Sequence, residues 1–107
     1  MIKLVVFVPI PHADGVREAL AIAGAGRIGN YRSCSFSSRG VGRFTPVDGA
    51  SPAIGEIGVA EAVEEERIEV VVEATLARRV IAAMRAAHPY EEPAYDLYRL
   101  LDEDDLG

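Results

Sequence analysis

Ile2-Lys-Leu-Val-Val-Phe-Val-Pro-Ile-Pro-His-Ala-Asp-Gly-Val-Arg-Glu-Ala-Leu20 changes its periodicity part-way along. Ile2 to Val8 is β-branched, aliphatic and aromatic almost throughout, the composition of a strand covered on both faces, and Pro9 and Pro11 end it. From Ala13 the apolar residues fall three to four apart, at Val16, Leu20 and Ala23, with Asp14 placed to cap the start and Gly24 to end the last turn. A central strand therefore feeds a helix.

Further along, Tyr31 to Phe36 and Val41 to Phe44 read as short strand pieces around Ser37, Ser38, Arg39 and Gly40, the pattern of a hairpin or bulged excursion. Asp48 to Gly58, rich in glycine, predicts a long loop. Ile68, Val70 and Val72 alternate with Arg67 and Glu69 in a strand with one covered face, and Gly58 to Val63 is the expected strand upstream of it. Leu76, Val80, Met84 and Ala87 return to helical spacing after Thr75, a candidate N-cap, and Pro89 forces the helix to stop near His88. Ala94 to Leu101 is a last strand, and Asp102 to Asp105 an acidic, solvated end. The order predicts an α+β domain spanning residues 1–107, a ferredoxin-like split βαβ sandwich with two helices on one face of an antiparallel sheet. Apolar residues at both parities of the last strand, Tyr95, Leu97 and Leu101 against Tyr98 and Leu100, predict that the second face meets another subunit.

With 107 residues and half of them hydrophobic, the chain suffices for one core, and a domain of this size gains from an oligomer interface. A homo-oligomer, dimer or trimer, is the expectation. The formal charge of −6 disfavours non-specific attraction to nucleic acid or anionic lipid. Cys34 is the sole cysteine, and no signal-peptide pattern follows the first apolar run, so a reducing, cytoplasmic setting is expected. The longest apolar stretch, Leu4 to Pro11, is too short to span a bilayer.

Gly24-Ala-Gly-Arg-Ile-Gly29 has the letters of a dinucleotide fingerprint, but it follows a helix and precedes a strand, the reverse of the order that would aim a helix N-terminus at a pyrophosphate. Its glycines fit helix termination and turns better. No acidic residue lies between Glu18 and Asp48, while Arg27, Arg32, Arg39 and Arg43 all do. Guanidinium groups beside flexible backbone amides could hold a phosphate or carboxylate, or could pair with acidic residues of a neighbouring subunit. His88-Pro-Tyr-Glu-Glu-Pro93 puts an imidazole and two carboxylates, His88, Glu91 and Glu92, on one turn, a ligand set suited to a divalent metal such as zinc, with His12 of a second subunit as a possible further ligand. Solvated carboxylates and a structural histidine are the plainer alternative. Cys34 lacks any neighbour in sequence that would activate a thiol, and Glu64 to Glu66 read as a solvated acidic face. No nucleophile elbow, P-loop or zincin motif commits the chain to a reaction, so it is expected not to be an enzyme by itself.

Taken together, Gly24-Ala-Gly-Arg-Ile-Gly-Asn-Tyr-Arg-Ser-Cys-Ser-Phe36 with Gly40-Val-Gly-Arg-Phe44, Glu66-Arg-Ile-Glu69 and His88-Pro-Tyr-Glu-Glu-Pro-Ala-Tyr-Asp-Leu-Tyr98 resemble the YqfO-type module associated with Nif-three-like proteins. The resemblance runs nearly end to end. It implies a CutA/PII-like ferredoxin fold and supports oligomerisation. This chain looks like the free-standing form of the module, which makes a Nif-three-like protein a candidate partner. The dimetal site of those proteins belongs to a surrounding domain, so their suspected hydrolase chemistry is not carried over. The resulting expectation is a small oligomeric binding or regulatory module. Its expected ligand residues are Arg27, Arg32, Cys34, Arg39, Arg43 and Tyr90, and the alternative is a CutA-like divalent-cation binder using His88, Glu91 and Glu92.

Overall fold

A computed structural model describes all residues from Met1 to Gly107. The apolar opening run is a strand, β1 (Ile2–Pro9), and it passes without a loop into α1 (Ile10–Ile22). The helix starts earlier than its apolar spacing suggests. Pro11 lies in its first turn, where a missing N–H costs nothing and a fixed φ already suits a helix, so this proline opens the helix instead of merely closing the strand. Asp14 consequently lies inside the helix and is not its cap.

The region read as a hairpin is instead one continuous strand, β2 (Phe36–Phe44), and the next is β3 (Glu61–Val72), which absorbs the two pieces predicted separately upstream and downstream of the glutamates. Ser37 to Gly40 form no turn, because each is paired in register with β3, from Ser37 opposite Ile68 to Gly40 opposite Glu65. Tertiary pairing overrides the local turn propensity of Ser and Gly here. A 3-10 turn (Ala74–Leu76) then leads into α2 (Ala77–Ala87), so Thr75 lies within that turn and makes no side-chain cap. The last strand, β4, is shorter than predicted, at Tyr95–Arg99. Beyond it, Asp102 accepts a hydrogen bond from Asp104 N–H and caps a final exposed 3-10 turn.

The four strands form one antiparallel sheet in the order β2-β3-β1-β4, with both helices on the same face: the ferredoxin-like arrangement. Leu4, Val6 and Val8 of β1 lie beside Ile68, Val70 and Val72 of β3 and pack against Ala13, Val16 and Leu20 of α1 and Val80 and Met84 of α2. Each large side chain fully enclosed here contributes on the order of 1.5–3 kcal/mol. Two polar ties lock the helices to this core. Arg79 on α2 donates to the Ala23 carbonyl at the end of α1, at 3.1 Å. Arg17 on α1 donates to Ser37 Oγ on β2 at 3.0 Å and to Glu66 on β3 at 2.6 Å.

Between α1 and β2 the glycine-rich excursion doubles back on itself. Gly26 donates to the Val71 carbonyl, its own carbonyl accepts from Cys34 N–H, and it has φ of 81°. A Cβ there would lie 2.4 Å from the Cys34 carbonyl oxygen, so this turn is built for glycine. The sheet face away from the helices mixes apolar and charged side chains. Register places Lys3, Val5, Phe7, Phe36 and Val71 on it with Arg67, Glu69, Asp96 and Tyr98. Charged pairs occupy it, Lys3 with Glu69 at 3.7 Å and Arg67 with Glu69 at 3.6 Å, and the Arg67 guanidinium sits 5.7 Å from the Phe7 ring centre. No helix of the structure is long and apolar enough to cross a membrane.

Candidate functional site

At the end of the sheet where β2 leaves β3, the segment of residues 45–60 folds back over the strand face. Its base is closed by Gly58 N–H on the Pro46 carbonyl at 2.7 Å. Its middle is tied to the turn after α2 by Ser51 N–H donating to Glu91 at 2.8 Å. That turn is in turn fixed to β1 through His88. Tyr90 N–H can only donate, so His88 Nδ1, 3.1 Å away, must be the bare nitrogen, and Nε2 carries the proton that it gives to the Phe7 carbonyl at 2.8 Å. Burial first, and the charge of His12 after it, push His88 below the usual histidine value, against the Phe7 hydrogen bond, which favours the charged form.

Between the folded-back loop, the His88–Pro93 turn and the glycine-bearing stretch of β2 lies a cleft of about 640 Å³. Clefts of this size are typical of small-molecule sites. Phe7, Phe44, Pro46 and Ile54 give it apolar walls. Phe44 and Tyr90 meet edge to face, with ring centres 5.7 Å apart.

Polar and charged side chains share the lining with these apolar walls. Glu65 of β3 is only 7 % exposed, yet forms no ion pair and no hydrogen bond of acceptable geometry. Beside it the Tyr90 hydroxyl is fully enclosed and makes no formed hydrogen bond, and the two groups lie close enough to perturb one another. Burial pushes the Glu65 carboxyl above the ordinary carboxylate value, an effect the Tyr90 hydroxyl offsets in part. Burial likewise raises Tyr90, and the Glu65 charge adds to the shift. The carboxyl fits because β2 carries glycine there: a Cβ on Gly42 would fall 1.9 Å from Glu65 Oε1.

The structure divides the residues singled out from the sequence. Arg39, Arg43, Tyr90, Glu91 and Glu92 line the cleft. Strand alternation gives Gly40, Gly42 and Phe44 the cleft face, so Arg39 and Arg43 take part from its rim with their side chains on the opposite face. Arg27 and Arg32 are exposed on the excursion before β2 and do not reach the cleft. Cys34 lines a separate, smaller recess with Arg17 and Ser35.

Within one chain, His88, Glu91 and Glu92 do not come together as a group of three that could hold an ion. Both imidazole nitrogens are already engaged, and Glu91 is turned to Ser51. Sequence reasoning missed Glu65, hidden in what read as a solvated acidic run, and Arg67. The signal that could have found Glu65 is Gly40-Val-Gly42, since two glycines on one face of a strand leave a hole for a neighbour to fill.

No protein-family model matches the chain. It is 57% identical over 101 residues to a protein of Halalkalibacterium halodurans called GTP cyclohydrolase 1 type 2 homolog, covering 94% of this chain and 27% of that protein. A Bacillus subtilis protein of the same name is 53% identical over 96 residues, covering 90% and 26%. Among solved structures, a Bacillus cereus protein related to NIF3 superposes with a TM-score of 0.82 at 54% identity, over 94% of this chain and 26% of that one. The chain carries the CutA/PII-like module of the NIF3-related proteins. It spans about a quarter of the length of the curated relatives it matches. CutA1 of Pyrococcus horikoshii shares the fold of this NIF3-related module at nearly full length, with a TM-score of 0.69, 17% identity, and coverage of 99% of this chain and 91% of that one.

Proposed function

We propose that this NIF3-related module is a small-molecule-binding, regulatory unit whose working surface is the cleft between the residue 45–60 loop and the His88–Pro93 turn. The observation that carries the reading is the nearly buried, unpaired Glu65 carboxyl facing an apolar cleft of ligand size. The unit has no chemistry of its own on this reading. Neither Ser38 nor Thr45, the aliphatic hydroxyl residues lining the cleft, is hydrogen-bonded to a base, the Tyr90 hydroxyl is enclosed beside Glu65 without a formed hydrogen bond, and Cys34 lies elsewhere. The cyclohydrolase named in its relatives then belongs to the part of those proteins that this chain does not match, and a NIF3-related protein is the natural receiver of the signal.

Self-association in the cytoplasm completes the proposal. It is supported by the free outer edges of β2 and β4 and by apolar side chains left in solvent there, among them Phe36, Val41 and Leu97. The test uses Gly40, which faces the cleft and where a Cβ meets nothing within 4 Å, so Gly40→Trp fills the cleft without disturbing the strand. A panel of small metabolites is screened by thermal shift against the full chain. At least one raises Tm in the wild type and fails to in Gly40→Trp. Shifts of equal size in both proteins, or none in either, would remove the cleft as the site.

A further inference from the structure

We infer that the cleft takes a compact ligand with a cationic nitrogen head, an amidinium, guanidinium or ammonium group, set against Glu65, and a flat apolar body lying along Phe7 and Phe44. This rests on the cleft being the working surface and adds the chemical class of what enters it. The argument is one of unanswered charge. Six ionisable side chains other than Tyr90 line the cleft: Arg39, Arg43, Arg67, Glu65, Glu91 and Glu92. Arg39 and Arg43 project from the opposite face of β2. Arg67 is paired with Glu69 and rests over the Phe7 ring. Glu91 accepts from Ser51 N–H, and Glu92 is an exposed residue at the rim. Glu65 alone is nearly buried with no ion pair, and only the Tyr90 hydroxyl and the cleft itself lie against its carboxyl.

A carboxyl on a nearly buried side chain, answered by no cation, is a cost to the fold, and the residues around it preserve that cost. Gly42 leaves the space the carboxyl occupies, and Tyr90 presents an enclosed hydroxyl beside it that bonds to nothing. Both groups are satisfied together by a bound cation. The ligand's N–H groups donate to the carboxylate, and the ionised carboxylate then accepts from the Tyr90 hydroxyl with a small side-chain adjustment. An anionic head finds the opposite situation, because it would have to sit beside Glu65, and Arg67, on the same face of β3, is paired with Glu69. The apolar walls supply the second half of the recognition: Phe44 and Tyr90 form an edge-to-face corner that accepts a planar group.

Benzamidine and benzoate carry the same ring with heads of opposite charge, which makes them suitable probes. Titrated into the full chain at neutral pH by calorimetry and by NMR, benzamidine is expected to bind at least tenfold more tightly than benzoate. Glu65→Gln should weaken benzamidine by about tenfold or more, as loss of a charge-assisted bond in a desolvated site requires. The wild-type affinity should fall on acidification as Glu65 is protonated, while that of Glu65→Gln stays flat. Benzoate binding as well as benzamidine, or benzamidine indifferent to Glu65→Gln, would overturn the inference. If benzoate binds and Gly40→Trp abolishes that binding, the cleft stands as a site and only the charge class is wrong. If neither probe binds and Glu65→Gln instead shifts the self-association constant measured by sedimentation, the occupant is a basic side chain of a second copy, and the small-ligand inference fails.

Discussion

His88 Nε2 donates to the Phe7 carbonyl at 2.8 Å and so ties the turn after α2 to the central strand. Because its Nδ1 accepts from Tyr90 N–H, one side chain satisfies a strand carbonyl and a turn amide at once. His88→Ala leaves both without a partner in a largely enclosed place, and about 2–4 kcal/mol of stability should be lost in urea denaturation.

The same histidine sets an acid limit. Its folded-state value lies below the ordinary 6.5, mainly through burial, so the unfolded chain takes up the proton first as pH falls. The stabilising contribution is complete above that ordinary value and is lost on acidification through the lower folded value. Tm should therefore decline below about pH 6.5. A His88→Gln variant, which keeps a donor and an acceptor but does not titrate, should show a shallower decline over that range.

Zinc coordination at His88 would have to break one of these two bonds. Equilibrium dialysis with zinc should accordingly give the same binding for the wild type and for His88→Ala. A loss confined to the variant would show that the turn rearranges around metal.

Glu65 behaves in the opposite sense to His88. Its folded-state value is raised by burial, so the folded protein binds this proton more readily than the unfolded chain, and stability is lost as pH rises through the raised value. Glu65→Gln should raise Tm at pH 7 and above, with the gain shrinking toward pH 4. A substitution that stabilises the fold while weakening benzamidine marks a residue retained for binding.

Strand and helix order was legible because burial dictates period: β1, the Ile68–Val72 half of β3 and the Val80–Met84 face of α2 all carry their packing in their spacing. What was not legible depended on long-range pairing. Ser37 to Gly40 have turn composition, and only the neighbouring β3 holds them straight. Glu65 and Glu66 sit side by side in sequence and look alike, yet the pleat sends Glu66 to the helix face, where Arg17 meets it, and Glu65 to the cleft. The metal reading of His88 rested on residue type, and the sequence could not show which atoms its nitrogens reach within the chain. Arg27 and Arg32 were grouped with Arg39 and Arg43 by their common charge, but the turn at Gly26 separates them in space.

The Arg17 guanidinium joins α1 to both β2 and β3, and its partner Glu66 has a side chain only 13% exposed. Asp14, on the same helix, is a further partner and is almost wholly exposed, so it contributes little. Arg17→Met should cost about 1–3 kcal/mol, chiefly because a mostly enclosed Glu66 is left unpaired. Arg17→Met combined with Glu66→Gln should recover a large part of that loss in a double-mutant cycle.

Gly42 separates the demands of the fold from those of the cleft. Glycine weakens a strand interior by roughly 0.5–1 kcal/mol relative to alanine, so a position under selection for stability alone would favour alanine. A methyl group there, however, would take the place of Glu65 Oε1 and push the carboxyl away from Tyr90. The displaced group is the end of a flexible side chain next to an open cleft, so the fold should tolerate Gly42→Ala with a change in Tm of only a few degrees. Benzamidine binding should nevertheless fall by about tenfold, because the carboxylate no longer sits where the ligand head arrives. The comparison that decides is Gly40→Ala, on the same strand face with open space around it, which should leave both Tm and binding near wild-type values. Equal losses of binding in the two variants would mean that β2 responds to any added side chain and that the position of Glu65 is not what the ligand reads.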